Sequence, residues 1–321
     1  MLDVRDLRVV LPTARGPAAA LRGVSFSLGA GEKLGLIGES GCGKSLTALA
    51  IMGLLPEGAR VEGSLRLNGQ ELVGLPDDAM AALRGDRVAM VFQEPMTALN
   101  PLHTVGAQVA EPLRLHRGLD RVAARAEALR LLDRVQLPEA AKRLDAHPHQ
   151  LSGGQRQRVM IAMALAFGPD LLIADEPTTA LDVTLQHEVL MLIDELVRGS
   201  GMALLLISHD LGVMARHVQR VAVMYGGTVV EAGPTAAVFG HLAHPYTQGL
   251  YAARPRLGAT RGTRLATIPG RVPELADLPA GCPFAERCAR AADDCRRAMP
   301  PEVGVGAEHM ARCLHLDVSV A

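Results

Sequence analysis

Aromatic side chains are scarce in this sequence: 321 residues include no tryptophan, five phenylalanines and three tyrosines. A core must therefore be built from Val, Leu, Ile, Ala and Met, and stacking of nucleobases on aromatic platforms is disfavoured as an activity. Charge of one sign is lacking too, with 33 Lys and Arg against 34 Asp and Glu. A duplex-binding domain normally carries a strongly basic balance, so nucleic acid is not the expected partner. No apolar run is long enough to cross a bilayer. The most apolar stretch, residues 159–174, is broken by Gly168-Pro169-Asp170 and falls short of the ~20 residues a membrane helix needs. The opening Met1-Leu2-Asp3-Val4-Arg5-Asp6 lacks a basic segment followed by an apolar one, so no signal peptide is read there and a cytosolic location is expected.

What is present suits a globular chain of about two domains, with 49% hydrophobic and 21% charged residues. Val4-Arg5-Asp6-Leu7-Arg8-Val9-Val10 and Leu21-Arg22-Gly23-Val24-Ser25-Phe26-Ser27-Leu28 alternate, as half-exposed antiparallel strands do. By contrast Leu34-Gly35-Leu36-Ile37, Val88-Ala89-Met90-Val91-Phe92, Leu171-Leu172-Ile173-Ala174 and Ala203-Leu204-Leu205-Leu206-Ile207 are continuous apolar runs. Such runs suit strands buried on both faces of a parallel sheet, and the helical stretches between them make the class α/β. Strand signals vanish between Thr97 and His149, and residues 121–136 are strongly helical, so a helical subdomain is expected over about 97–165. After about Pro255 proline and glycine become frequent and four of the five cysteines appear, which marks residues 256–321 as a small Cys-rich C-terminal module after a main domain of residues 1–255.

Gly38-Glu39-Ser40-Gly41-Cys42-Gly43-Lys44-Ser45 fits G-x-x-x-x-G-K-S/T, follows an apolar strand and precedes a helical run that opens at Leu46. The glycines let successive N–H groups turn toward phosphate oxygens, and the following helix presents its positive end to the same anion. Lys44 is suited to β- and γ-phosphate charge and the Ser45 hydroxyl to Mg²⁺. Asp175 and Glu176 end another apolar strand, and carboxyl ends of parallel strands line one ligand crevice. Asp175 suits metal holding, and Glu176 suits orienting and polarising a water for attack on the γ-phosphate. Gln93 and His209 each follow a buried strand, although a lone Gln or His is more often structural.

Leu151-Ser152-Gly153-Gly154-Gln155-Arg156-Gln157 opens a helix expected to run to about Phe167. Ser152 with the backbone of Gly153 and Gly154 at that helix start forms a second potential anion site, one that points to a partner. Together with the loop at 38–45, Gln93, Asp175-Glu176, Ala180-Leu181-Asp182 and Ser208-His209-Asp210, this set makes residues 2–240 resemble the ATPases of ABC transporters. Phe92-Gln93-Glu94-Pro95-Met96-Thr97-Ala98-Leu99-Asn100-Pro101, residues 148–158 and His244-Pro245-Tyr246-Thr247 resemble the dipeptide, oligopeptide and nickel importer branch, whose C-terminal extension is also matched.

The resemblance implies a RecA-like parallel sheet core, an antiparallel β subdomain and a helical subdomain. It implies ATP and Mg²⁺ as cofactors, with Ser45, Gln93 and Asp175 at the metal. Two ATPase subunits, paralogues or copies, would meet head to tail, so that Ser152, Gly153, Gly154 and Gln155 of one cap the γ-phosphate held on the other. Asp182 would couple the two sites, His209 would contact the γ-phosphate, and Glu176 would be the catalytic carboxylate. The resemblance further implies two transmembrane permease subunits, an extracytoplasmic solute-binding protein and a peripheral place on the cytoplasmic face of the bacterial membrane. The family's aromatic that stacks on adenine has no counterpart in residues 9–20, where Leu11 is left to give apolar contact. Alternatives are an ABC-type ATPase of a non-transport process and an importer of nickel or another solute.

Cys282, Cys288, Cys295 and Cys313 are spaced C-x₅-C-x₆-C-x₁₇-C. In a reducing compartment this argues against two disulfides and for a metal site, and the absence of a C-x₂-C pair disfavours a zinc ribbon. Longer spacings can wrap an iron–sulfur cluster. Resemblance to importer ATPases turns the reading to a 4Fe-4S cluster, with zinc or unliganded thiols as alternatives and His315 as an alternative ligand.

Overall fold

A computed structural model describes residues 1–93, 98–179, 181–254 and 266–316. The chain forms two compact units, one of residues 1–29, 33–76 and 206–321, the other of residues 30–32 and 77–205.

The first unit opens with β1 (Leu2–Thr13), β2 (Gly16–Leu28), β3 (Lys33–Ile37), α1 (Lys44–Met52), β4 (Arg60–Leu67) and β5 (Gln70–Glu71). An antiparallel sheet takes the order β2-β1-β4-β5. Leu2, Val4, Leu7 and Val9 are its buried residues from β1. The buried set steps from even to odd numbers because the ladder is irregular between Val4 and Leu7, where Asp6 takes a left-handed φ of 46°. Such a bulge re-aims the side chains that follow it, so one apolar face is kept along the strand.

The second unit contains α2 (Asp77–Leu83), β6 (Val88–Val91), α3 (Val105–Arg117), α4 (Arg121–Arg134), α5 (Ala140–Arg143), α6 (Gly153–Ala164), β7 (Leu171–Asp175) and α7 (Val183–Ser200). β6 and β7 pair in parallel, and every residue of β7 is buried, as the continuous apolar run requires. Helices dominate residues 105–164, in line with the helical character of that sequence. Asp120 accepts from the Ala123 N–H at 2.8 Å, which fixes where α4 begins. α6 ends at Ala164, short of Phe167, and α4 ends at Arg134.

β8 (Ala203–Ile207) carries the chain back to the first unit, which continues with α8 (Leu211–His217), β9 (Arg220–Tyr225), β10 (Thr228–Pro234), α9 (Thr235–Gly240), α10 (Pro245–Ala252), β11 (Val303–Gly306) and β12 (His309–Ala311). Here the strand order is β11-β12-β10-β9-β3, with β9 parallel to β3 and the others antiparallel. The tail therefore joins the unit by backbone pairing, Glu231 opposite Ala311 and Ala232 opposite Met310. Three of the few aromatic residues also gather here. Tyr225, Tyr246 and Phe284 pack with ring centroids 4.6 to 5.3 Å apart, together with Cys282 and Cys295. Among the described residues no helix is long and apolar enough to cross a membrane.

Candidate functional site

In the first unit the loop 38–45 links the buried end of β3 to α1. Gly38 has a left-handed φ of 155°, and a Cβ there would lie 2.3 Å from the Met224 carbonyl oxygen, so only glycine fits against β9. Gly43, at φ 106°, caps α1 and would meet Leu21. Lys44 is 5% exposed and its Nζ donates to the carbonyls of Gly38 at 2.7 Å and Glu39 at 3.1 Å, which turns the ammonium inward over the loop. The Thr47 hydroxyl donates to the Gly43 carbonyl at 2.9 Å. Cys42 is buried within the turn, and burial pushes its thiol up while Lys44 opposes that shift. His209 follows β8 and is exposed, as is Asp210 after it, whereas Ser208 before it is buried. The Ser208 hydroxyl accepts from the Asp210 N–H at 3.0 Å, and Asp210 in turn accepts from Gly212 N–H at 2.6 Å, so both flanking side chains hold the turn that presents the imidazole.

In the second unit Asp175 is the last residue of β7 and 4% exposed. Glu176 follows with φ at 44°, a conformation that costs a non-glycine residue about 1–3 kcal/mol and gathers at functional sites. Its Oε2 accepts from Gln93 Nε2 at 3.2 Å and from the Thr179 hydroxyl at 3.0 Å. The structure thus brings Gln93 and Glu176 together and adds Thr179, which the sequence reading missed. The signal available for Thr179 was a hydroxyl three residues after the acid, in a turn where its N–H also meets the Glu176 carbonyl at 3.1 Å.

Ser152 caps α6 reciprocally with Gln155. The serine hydroxyl accepts from the Gln155 N–H at 3.3 Å, and the Gln155 side chain accepts from the Ser152 N–H at 3.0 Å. A Cβ on Gly154 would crowd Leu185 at 3.2 Å, and one on Gly153 would lie 3.3 Å from Leu181, so the glycines let this helix start sit close to the segment that opens α7. Asp182 caps α7, accepting from the N–H groups of Thr184 and Leu185 at 3.0 Å each. Glu94 to Thr97, Ala180 and the expected boundary at Pro255 lie outside the described residues.

Residues 21–179 match the family described as ABC transporter, and residues 230–295 match the oligopeptide/dipeptide transporter C-terminal region. The chain is 49% identical to the oligopeptide transport ATP-binding protein OppD of Salmonella typhimurium, over 94% of this chain and 90% of that protein. It is also 49% identical to a putative peptide import ATP-binding protein of Brucella melitensis, over 98% and 96%. The chain belongs to the ABC transporter ATPases. Among solved structures this ABC ATPase is similar to a dimeric bacterial ABC transporter cassette, with 31% identity, a TM-score of 0.66 and coverage of 73% of this chain and 99% of that one. A dimeric post-hydrolysis state of an ATP-binding cassette bound to ADP and Pi has the same scores and coverage.

In this ABC ATPase the C-terminal extension reaches the phosphate loop, which the sequence did not disclose. Arg287, next to Cys288, donates from Nη1 and Nη2 to the Glu39 carboxylate at 2.6 and 3.1 Å, from Nη1 to the Tyr225 hydroxyl at 3.2 Å, and from Nε to the Pro269 carbonyl at 2.8 Å. Burial pulls the Arg287 guanidinium down, but Glu39 and Tyr225 together hold it well above its ordinary value. The Glu39 N–H also donates to the Tyr246 hydroxyl at 2.7 Å. Glu39 is thus held by both its backbone and its side chain, and Tyr246 belongs to the His244-Pro245-Tyr246-Thr247 stretch that marked the branch.

All four tail cysteines are free thiols lining one small pocket with Phe284, His244 and His315. Burial, against the backbone contact with Phe284 and with help from the other three thiols, pushes Cys282 up to about 11. The N–H groups of Arg290 and His315 donate to the sulfurs of Cys288 and Cys313, each at 3.4 Å. Among the described residues the four sulfurs do not lie together within 4.8 Å, whereas Asp294, Cys295 and His315 do. A tetrahedral zinc with ~2.3 Å bonds would draw four sulfurs to roughly 3.8 Å of one another. A cubic cluster is held by four thiolates set wider than that, because its own iron and sulfide lie between them; four free thiols lining one pocket are a donor set of that chemistry.

Proposed function

We propose that this chain is the ATP-hydrolysing subunit that powers import of dipeptides or oligopeptides through an ABC transporter, seated on the cytoplasmic face of the cell membrane against two permease subunits. The reading is supported by the near full-length likeness to peptide-import ATP-binding proteins. For the chemistry, the observation that carries it is the Glu176 carboxylate, fixed at a buried strand end by Gln93 and Thr179 in a strained backbone. Residues 1–255 form the nucleotide-binding domain in this reading, with residues 256–321 as its extension.

The loop 38–45 takes the triphosphate, with Lys44 turned from its loop carbonyls onto β- and γ-phosphate oxygens. Ser45, Asp175 and Gln93 are the residues that would hold Mg²⁺, which would offset the charge that develops during phosphoryl transfer. Glu176 accepts a proton from water as the water oxygen bonds to the γ-phosphorus and the bond to the β,γ-bridging oxygen breaks, leaving ADP and phosphate. His209 stabilises the transferring group. A second ATPase subunit presents its Ser152 and the following glycines from the start of its α6, where N–H groups favour an anion. Asp182 ties one site to the other, and closure of the pair moves the permeases, to which an extracytoplasmic binding protein delivers solute.

Glu176→Gln keeps the shape but removes the proton acceptor. ATP binding is expected to persist within twofold, while phosphate release falls by about 100-fold or more; the variant should also accumulate as an ATP-bridged dimer by light scattering. Turnover at the wild-type rate would remove Glu176 from this role. Cys282, Cys288, Cys295 and Cys313 are the residues that would hold a 4Fe-4S cluster, whose contribution is structural cross-linking of a tail with little core of its own. Iron and acid-labile sulfide in anaerobically purified protein should each approach four per chain, roughly the content of one cubic cluster. Zinc alone, or no metal, would defeat that assignment.

A further inference from the structure

Within the first unit, the thiol pocket of the tail and the phosphate loop are joined by an unbroken series of contacts. Cys282 and Cys288 bracket Pro283-Phe284-Ala285-Glu286-Arg287, a segment folded into tight turns. The Ala285 N–H donates to the Cys282 carbonyl at 3.1 Å, and the Arg287 N–H donates to the Phe284 carbonyl at 3.0 Å. The Cys282 N–H donates to the Cys295 carbonyl at 2.8 Å, which seats the segment on a third cysteine. Two buried side chains carry its position toward the loop. The Phe284 ring packs against Tyr225 and Tyr246, with centroids 5.2 and 5.3 Å away, and Arg287 grips the Glu39 carboxylate. The hydroxyls of those same tyrosines accept from Arg287 and from the Glu39 N–H. The Glu39 carbonyl in turn accepts from Lys44 Nζ at 3.1 Å, so the residue held from the tail also holds the lysine of the phosphate loop.

We propose that Arg287 is a positioning residue for the phosphate loop, and that its grip on Glu39 makes ATP affinity depend on whether the four-thiol pocket is filled. The inference rests on the cluster reading of Cys282, Cys288, Cys295 and Cys313 and goes beyond it. With four free thiols, the segment from Cys282 to Cys288 is fixed only by turn hydrogen bonds and by the packing of Phe284. Thiolates bound to one shared group would close that segment at both ends and remove much of its conformational entropy. Arg287 then stands ready at Glu39 with no further ordering to undergo, and the loop keeps the shape in which its N–H groups and Lys44 meet phosphate. Coupling between two sites is reciprocal, so ATP on the loop must also favour retention of the group in the thiol pocket. Glu39 is the residue through which both effects pass.

The test uses the whole chain, purified anaerobically, with iron and acid-labile sulfide counted first. Equilibrium binding of ATP is measured before and after a ferrous chelator strips the cluster and is itself removed, in wild type and in Glu39→Ala. Stripping should weaken ATP binding by wild type about fivefold, the low end of ordinary coupling between sites. Reciprocally, ATP should slow the bleaching of the cluster absorbance by the chelator severalfold. Glu39→Ala should keep its cluster, bind ATP more weakly from the start and show little of either effect. Equal ATP affinities for loaded and stripped wild type, or equal losses in both proteins, would overturn the coupling and leave the cluster standing. Protein that holds neither iron nor sulfide would overturn the cluster reading, and this inference with it.

Discussion

Glu39 occupies a variable position of the phosphate-loop pattern, yet it is the loop residue most tightly tied to the rest of the first unit. The Arg287 side chain that grips it is 4% exposed, while Glu39 is 29% exposed. Breaking a fully buried ion pair typically costs 3–5 kcal/mol, most of it from the partner left behind. Water reaching Glu39 reduces that, so Arg287→Met should destabilise the protein by about 2 kcal/mol. Glu39→Gln should cost about as much, because it strands a guanidinium among Tyr225 and Pro269. If the two act only through each other, the double variant is less destabilised than the sum of the singles by about 1 kcal/mol or more in urea titrations. Strict additivity would dissolve the clamp. The single variants should also raise the KM for ATP more than they lower kcat, since what loosens is the loop's shape and not the carboxylate that acts on water.

At the scale of elements, the starts of α3, α4, α6 and α7 are each fixed by a side-chain cap, and α6 is the one with most at stake. Its Ser152–Gln155 pair is a reciprocal cap at a spacing of three, so the start of α6 was legible in Leu151-Ser152-Gly153-Gly154-Gln155 before any coordinates. Losing a serine cap costs about 1 kcal/mol. Ser152→Ala should therefore shift the urea midpoint only slightly; if that helix start also caps a γ-phosphate in the dimer, ATPase at saturating ATP should fall by tenfold or more. A loss of activity no larger than the loss of fold would leave Ser152 a helix cap alone. The buried strands β3, β6, β7 and β8 were legible too, because unbroken apolar runs admit few other readings. What was hidden is long-range. Arg287 meets Glu39 across 248 residues and His309 meets Glu231 across 78, and no local pattern announces either pairing. The strain at Glu176 was equally invisible, since nothing in Asp175-Glu176-Pro177 announces a left-handed backbone.

Across the whole molecule, the extension is bound in through buried polar groups whose protonation matters. Glu231 of β10 is fully buried and accepts from the N–H groups of Ala243 and His244, each at 2.9 Å, and pairs with His309 Nε2 at 2.8 Å. His244 is 1% exposed; its Nδ1 accepts from the Tyr246 N–H at 3.0 Å, so its proton sits on Nε2, bonded to the Arg312 backbone. Burial pulls His244 down to about 3, although the backbone contact with Arg312 favours the charged form. An unfolded histidine titrates near ~6.5, so between pH 6.5 and 3 the unfolded chain binds one proton more than the folded one. Stability must then rise with pH through that window, and it falls as acid is added: about 2 kcal/mol is lost by pH 5 from this group. Glu71, which burial would raise but which the Ser64 hydroxyl, the N–H groups of Leu65 and Val73 and Arg66 hold at about 2, adds acid sensitivity only below about pH 4.5. Urea unfolding at pH 7.5 and pH 5.0 therefore isolates the histidine. Wild type should lose about 2 kcal/mol between them, and His244→Asn, which keeps an acceptor for Tyr246 but cannot charge, should lose little. Equal losses in both proteins would assign the acid sensitivity elsewhere. Because the residue that His244 positions is Tyr246, and the Tyr246 hydroxyl receives the Glu39 N–H, the same acidification should weaken ATP binding in wild type more than in His244→Asn.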